Sequence, residues 1–234
     1  MIIILFKIKW KIANFLFAIG LANGIVANTT ELTVTIEWVW EEMMTKLTDD
    51  IIYGRQALTN KEPWIVPESL EHLRGLMMPD FKVFEWGSGG STIWFAERCK
   101  ELVSVDDHKK WFDIVLGWIR ERDLRNVDLK FLPGKPWHKY ADAILEYPEA
   151  HFDLVFVDGR RSVRARCIEN ALIRIKPGGT LLIDNSNWLD SFPSFTSHSA
   201  YDIWTWDRVD YRAPDHKWLG QPNDWWTSLF TKPV

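Results

Sequence analysis

The sequence predicts an α/β protein: a Rossmann-like, doubly wound, mostly parallel sheet with helices on both faces. Two stretches carry that expectation. In the first, the apolar run Phe81-Lys82-Val83-Phe84 leads into Glu85-Trp86-Gly87-Ser88-Gly89-Gly90-Ser91-Thr92 and then into Ile93 to Cys99. This is a buried strand, a glycine-rich turn and a helix, the corner at which α/β folds cradle nucleotides. In the second, Phe152-Asp153-Leu154-Val155-Phe156-Val157 is a nearly continuous apolar run, as expected of a strand buried on both faces. Strand and helix patterns alternate around both stretches, as βαβ units require.

Taken in order, Pro63-Trp64-Ile65-Val66-Pro67 breaks the chain and opens a main domain expected over 63–234. Glu68 to Met77 reads as a helix stopped by Met78-Pro79-Asp80. The glycine turn follows the first strand; its glycines permit a sharp bend and close approach of a ligand. The helix start after it offers unpaired N–H groups to a polar or anionic part of that ligand. Leu102–Val105 is a second strand, ending in Asp106 at the distance where such folds place a ribose-binding carboxylate. His108 to Arg122 is a helix carrying Trp111, Phe112, Val115, Trp118 and Ile119. Asn126–Leu132 alternates as a third strand, and Pro133-Gly134-Lys135-Pro136 is a loop at its carboxyl end. Tyr140–Glu146 reads as a short helix, and Asp158 closes the strand that begins at Phe152. Arg161 to Ile175 is a helix whose stop signal is Lys176-Pro177-Gly178-Gly179. Thr180–Ile183 is strand five, ending in Asp184-Asn185. Trp204–Tyr211 alternates, Trp225–Phe230 less cleanly, and together they suggest an antiparallel pair. Between them, 213–223 is a polar loop expected over the site.

Composition bounds the function. With 234 residues, 47% hydrophobic and 26% charged, the chain suits one well-buried domain with extra segments. A net charge of −4 and the lack of a basic block argue against nucleic acid as the main partner. The 15 tryptophans point to packing and pocket walls, with an aromatic stacking surface as the alternative. Cys99 and Cys167, far apart and without metal-ligand spacing, read as buried, reduced thiols. Lys7, Lys9 and Lys11 precede an uncharged run over 12–30, which is signal-like. Asn14, Asn23, Asn28, Gly20 and Gly24 weaken that run as a membrane span. A peripheral segment of a cytoplasmic protein is preferred over 1–30, with membrane contact through it as the alternative. Residues 31–62 read as a helical extension, with Trp38, Met43, Met44 and Leu47 sharing a face.

Glu85-x-Gly87-x-Gly89, together with Ser104-Val105-Asp106-Asp107-His108-Lys109-Lys110-Trp111, resembles the class I S-adenosylmethionine-dependent methyltransferases, in a poorly characterised bacterial branch. The departure is Ser91, where many members have a third glycine. The resemblance covers roughly 63–234 and implies a seven-stranded sheet with an antiparallel C-terminal strand. It implies S-adenosylmethionine as cofactor, with Glu85, Gly87, Gly89 and Ser91 at its amino-acid end, Asp106 on the ribose and Gly134 near the adenine. Asp158 and Asp184-Asn185 are similar to the set that holds a divalent metal, such as Mg²⁺, in catechol-type O-methyltransferases. The plain alternative is that Asp and Asn favour turns after strands.

Asp158, Asp184 and His138 are the candidate catalytic groups, with His108 reading rather as a helix-start residue. The basic run Arg160, Arg161, Arg164, Arg166 is either a solvated helix face or a surface for an anionic substrate. The function expected is methyl transfer to a small hydroxylated acceptor, such as a sugar. A nicotinamide-dependent oxidoreductase and a non-catalytic binding module are the alternatives. Against the first of these, Thr92 stands where a dinucleotide fingerprint wants Gly or Ala.

Overall fold

A computed structural model describes residues 57–133, 136, 138–191, 202–213 and 225–234. Segment 1–30, most of 31–62, Gly134 and most of the loop over 213–223 lie outside the described residues. Among the described residues no helix is long and apolar enough to cross a membrane.

The strands are β1 (Lys82–Trp86), β2 (Glu101–Asp106), β3 (Val127–Phe131), β4 (Phe152–Val157), β5 (Ile175–Asp184), β6 (Asp207–Ala213) and β7 (Trp225–Thr231). They form one seven-stranded sheet in the order β3-β2-β1-β4-β5-β7-β6. The first five pair in parallel, and β7 runs antiparallel to both β5 and β6. The reversed strand expected from the resemblance is therefore β7, slotted between β5 and β6.

The helices are α1 (Pro67–Leu76), α2 (Gly90–Ala96), α3 (Lys109–Glu121), α4 (His138–Ala141) and α5 (Arg164–Arg174). Alternate residues of the central strands feed two cores. Val83, Leu102, Leu154, Phe156 and Leu182 meet Leu70 and Leu73 of α1 and Trp94 and Phe95 of α2. Phe84, Trp86, Val155, Val157 and Ile183 meet Tyr140 of α4 and Cys167, Ile168 and Ala171 of α5 on the opposite face. Val115 and Ile119 tie α3 to Ile93 of α2. Each central strand is thus apolar on both sides, which is why its sequence reads as a run rather than an alternation.

Boundaries differ from expectation in three places. Helix α2 begins at Gly90, directly after the turn. The expected short helix over 140–146 is α4 followed by a 3₁₀ turn, Asp142–Glu146. Lys176-Pro177-Gly178-Gly179 lies inside β5 as a bulge, where the register with β4 jumps. Helix α5 still stops at Arg174, before these residues. Gly178 takes φ +75° there, and its N–H and the Gly179 carbonyl bond the backbone of Lys232.

Candidate functional site

Strand order reverses between β1 and β4, the point at which open α/β sheets leave a crevice at their carboxyl ends. The loops after these two strands touch. Gly87 has φ +97°, and a Cβ there would lie 2.9 Å from Gly159 Cα and N. Only glycine fits both the left-handed backbone and that approach. A Cβ on Gly90 would lie 2.5 Å from the Glu62 carbonyl oxygen, so the helix start is also closely packed. Gly89 has no such constraint; its nearest neighbour would be Trp111 Nε1 at 3.7 Å.

Glu85, fully buried in β1, holds this corner together. Its carboxylate accepts hydrogen bonds from Ser104 Oγ (2.7 Å), Ser91 Oγ (2.8 Å) and Thr92 Oγ1. Thr92 Oγ1 in turn accepts the Gly89 N–H at 2.9 Å. Burial pushes the Glu85 carboxyl up to about 7 against the pull of the three hydroxyls. The Ser91 hydroxyl, read from sequence as a ligand contact, is directed at Glu85. Thr92 was not singled out as a site residue, yet it relays Glu85 to the turn.

Asp106 is 4% exposed at the end of β2. Its Oδ2 accepts Ser88 N–H (3.0 Å) and Ser88 Oγ (2.6 Å), and its Oδ1 accepts His108 N–H (2.7 Å). Burial raises its pKa, while Ser88 and His108 lower it. Trp111 Nε1 donates to the Ser88 carbonyl and so grips the same loop from α3. His108 caps α3, its Nδ1 accepting the Trp111 N–H at 3.3 Å, in line with a helix-start role.

Across the crevice, Asp158 follows β4 and Asp184 ends β5. Asp184 is buried, and its Oδ1 accepts Trp225 Nε1 (3.0 Å) and Thr227 Oγ1 (2.8 Å) from β7. The Asp158 side chain is 32% exposed. Burial raises both carboxyls, and Asp184 raises Asp158 further. His138 is exposed on α4, and no hydrogen bond ties it to Asp158 or Asp184. Gly134 lies outside the described residues.

Arg164, the first residue of α5, changes the meaning of these carboxylates. It is 6% exposed and turned inward. Nε donates to the Gly159 carbonyl (2.9 Å). Nη1 donates to the Asp184 carbonyl (2.6 Å) and Asn185 Oδ1 (3.2 Å), and Nη2 to the Asp158 carbonyl (2.6 Å) and Asp158 Oδ1 (3.0 Å). A guanidinium has five N–H donors, and each has a partner here. The Mg²⁺ set expected from Asp158, Asp184 and Asn185 does not fit a divalent ion. A cation already binds Asp158 and Asn185, and Asp184 Oδ1 faces β7. Among the described residues no three or more His, Cys, Asp or Glu side chains gather as a metal-binding cluster.

Outside Arg164 the basic run is largely exposed, as a solvated face would be, with ion pairs at two of its residues. Arg160 binds Asp107, and Arg166 binds Asp142 at 2.7 Å. Four arginines at a helix start oppose the helix dipole. That opposition was the available signal that acidic partners wait nearby.

No protein-family model matches the chain, and no curated protein matches it. Solved structures do. SMU.1697c from Streptococcus mutans, assigned to the methyltransferases and solved with S-adenosylhomocysteine (SAH), aligns with TM-score 0.54 at 12% identity, covering 70% of this chain and 97% of that one. An rRNA methylase from Streptococcus thermophilus aligns with TM-score 0.53 at 16% identity over 71% and 95% of the two chains. The fold is that of the class I methyltransferases. Likeness in fold extends beyond proteins named as methyltransferases: a precorrin 8w decarboxylase from Methanobacterium thermoautotrophicum aligns with TM-score 0.50 at 15% identity, over 72% and 90% of the two chains.

Proposed function

We propose that the protein binds S-adenosylmethionine at the β1–β2 edge and transfers its methyl group to a small hydroxylated acceptor held beside Asp158. The single observation that carries this reading is the corner built by Gly87, Glu85 and Asp106. A left-handed glycine packed on Gly159 leaves the turn bare of side chain, and buried carboxylates line the strand ends beside it. An acidic, close-packed cradle suits a ligand that carries ammonium and sulfonium charges and a ribose diol. When bound, this cofactor supplies an electrophilic methyl group.

The chain's own residues would supply binding, alignment and proton transfer. Asp106, held by Ser88 and His108, would accept the ribose hydroxyls. Glu85 acts through the loop by holding Ser91, Thr92 and, through Thr92, Gly89. Asp158, one-third exposed with Oδ1 held by Arg164, would use Oδ2 to take the acceptor's hydroxyl proton. The edge carboxylates would repel a polyphosphate backbone, which favours a small acceptor over nucleic acid.

Calorimetric titration with SAH, with NAD⁺ as comparison, tests the cofactor. SAH is expected to bind in the micromolar range and NAD⁺ not at all. Asp106→Asn should weaken SAH by roughly 1–3 kcal/mol. Binding of NAD⁺ instead of SAH would convert the reading to an oxidoreductase, and binding of neither would leave a binding module without this cofactor.

A further inference from the structure

The carboxyl ends of β4 and β5 carry their own cation. We propose that the Arg164 guanidinium occupies the place at which Asp158 and Asn185 would hold a divalent ion, so that this edge works without metal. The argument is one of donor and acceptor count. Arg164 is buried, yet no donor is wasted: the two strand-end carbonyls, the Gly159 carbonyl, Asp158 Oδ1 and Asn185 Oδ1 take all of them. Asn185 holds φ +49°, a left-handed conformation that asparagine tolerates and most residues avoid. Its side-chain oxygen accepts from the guanidinium at 3.2 Å.

A metal ion held by the expected set would need two of these oxygens, Asp158 Oδ1 and Asn185 Oδ1. It would have to displace a planar, permanently charged group that is tethered to the first turn of α5. The exchange is unfavourable because the displaced guanidinium would be left buried beside a second cation. Arg164 also fixes which Asp158 oxygen is engaged. Oδ1 is bonded to the guanidinium, and the side chain as a whole keeps 32% exposure. The consequence for methyl transfer, that it proceeds without a divalent ion, rests on the proposed function. The occupancy of the cation position does not.

The test uses the full chain and Mn²⁺, followed by electron paramagnetic resonance, with thermal unfolding in parallel. Wild type is expected to leave millimolar Mn²⁺ free and to show no Mn²⁺-dependent change in Tm. A stoichiometric Mn²⁺ site in wild type, weakened tenfold or more by Asn185→Ala, would overturn the proposal. Arg164→Ala should melt several degrees lower. It should regain part of that loss with either Mn²⁺ or low-millimolar methylguanidinium, neither of which shifts wild type. A folded variant indifferent to both cations would also overturn the proposal. If Arg164→Ala folds only when methylguanidinium is present during refolding, with methylurea inactive, that recovery is the supporting result. Failure to refold with either additive counts against it. None of these readouts involves SAH, so a failed cofactor titration and a failed cation test remain distinguishable.

Discussion

Glu85→Gln tests how the glycine corner is held. In the folded protein the Glu85 carboxyl is fully buried and pushed from an ordinary 4.5 up to about 7. Between those values the native state binds more protons than the unfolded chain, so stability falls as pH rises. The group imposes no penalty below the unfolded value and its full penalty above about 7. That displacement corresponds to about 3 kcal/mol. Gln keeps the shape and one acceptor oxygen for the hydroxyls of Ser91, Thr92 and Ser104, but it cannot ionise. The stability of Glu85→Gln relative to wild type should therefore improve by roughly 2–3 kcal/mol between about pH 5 and pH 8. Asp106, Asp158 and Asp184 are also raised and are present in both proteins; the Glu85 charge is one cause of the rise at Asp158, so Gln relieves that part as well, with the same sign. Urea unfolding of both proteins across that range is the assay. A difference that stays flat with pH would refute the reasoning and place the ionisation of Glu85 near its unfolded value.

Gly159→Ala should destabilise by roughly 1–3 kcal/mol through overpacking, because its Cβ would lie 1.8 Å from Tyr140 Oη and 3.0 Å from Cζ. Adding Tyr140→Phe should recover part of the lost Tm by removing the closer clash; strict additivity of the two changes would refute that contact. Cys99 and Cys167 are buried, and burial pushes the Cys99 thiol up to about 12. Neither should react with a disulfide reagent at neutral pH until urea unfolds the chain, and rapid native labelling of either would contradict their burial.

Much of the architecture was legible because hydrophobic periodicity is a local signal. The run over 152–157 became β4 with both boundaries intact, and the helix expected over 108–122 became α3 within one residue at each end. The late alternating segments became the antiparallel pair. Their order in the sheet, with β7 inside β6, depends on side-to-side pairing that alternation does not encode. The expected strand at Trp204 starts later, because Asp202 caps a 3₁₀ turn there. The Lys-Pro-Gly-Gly stretch reads locally as a turn, and it is one, but pairing continues on both sides and makes it a bulge.

Site residues were legible as positions at strand ends, and less so as chemistry. Glu85, Gly87, Asp106, Asp158 and Asp184 all reach the carboxyl edge, as strand ends must. What each side chain grips is a tertiary fact. Ser91 turns to Glu85 rather than outward, and Arg164 turns inward rather than to solvent. His138 follows a loop at the right edge in sequence, yet it sits exposed on α4.

The slot that β7 occupies has a consequence for synthesis. During translation β5 emerges well before its neighbour, since the partner of Thr180–Asp184 is Thr227–Thr231. Until that segment leaves the ribosome, one flank of β5 is an open backbone ladder, and Asp184 lacks the Trp225 and Thr227 donors. A nascent or prematurely terminated chain thus combines a bare strand edge with a buried carboxylate short of partners, the combination that invites misassembly. Loss of the last segment would yield a target for chaperones and proteases rather than a partly active protein, because the final strand closes both the sheet and the acidic edge at once.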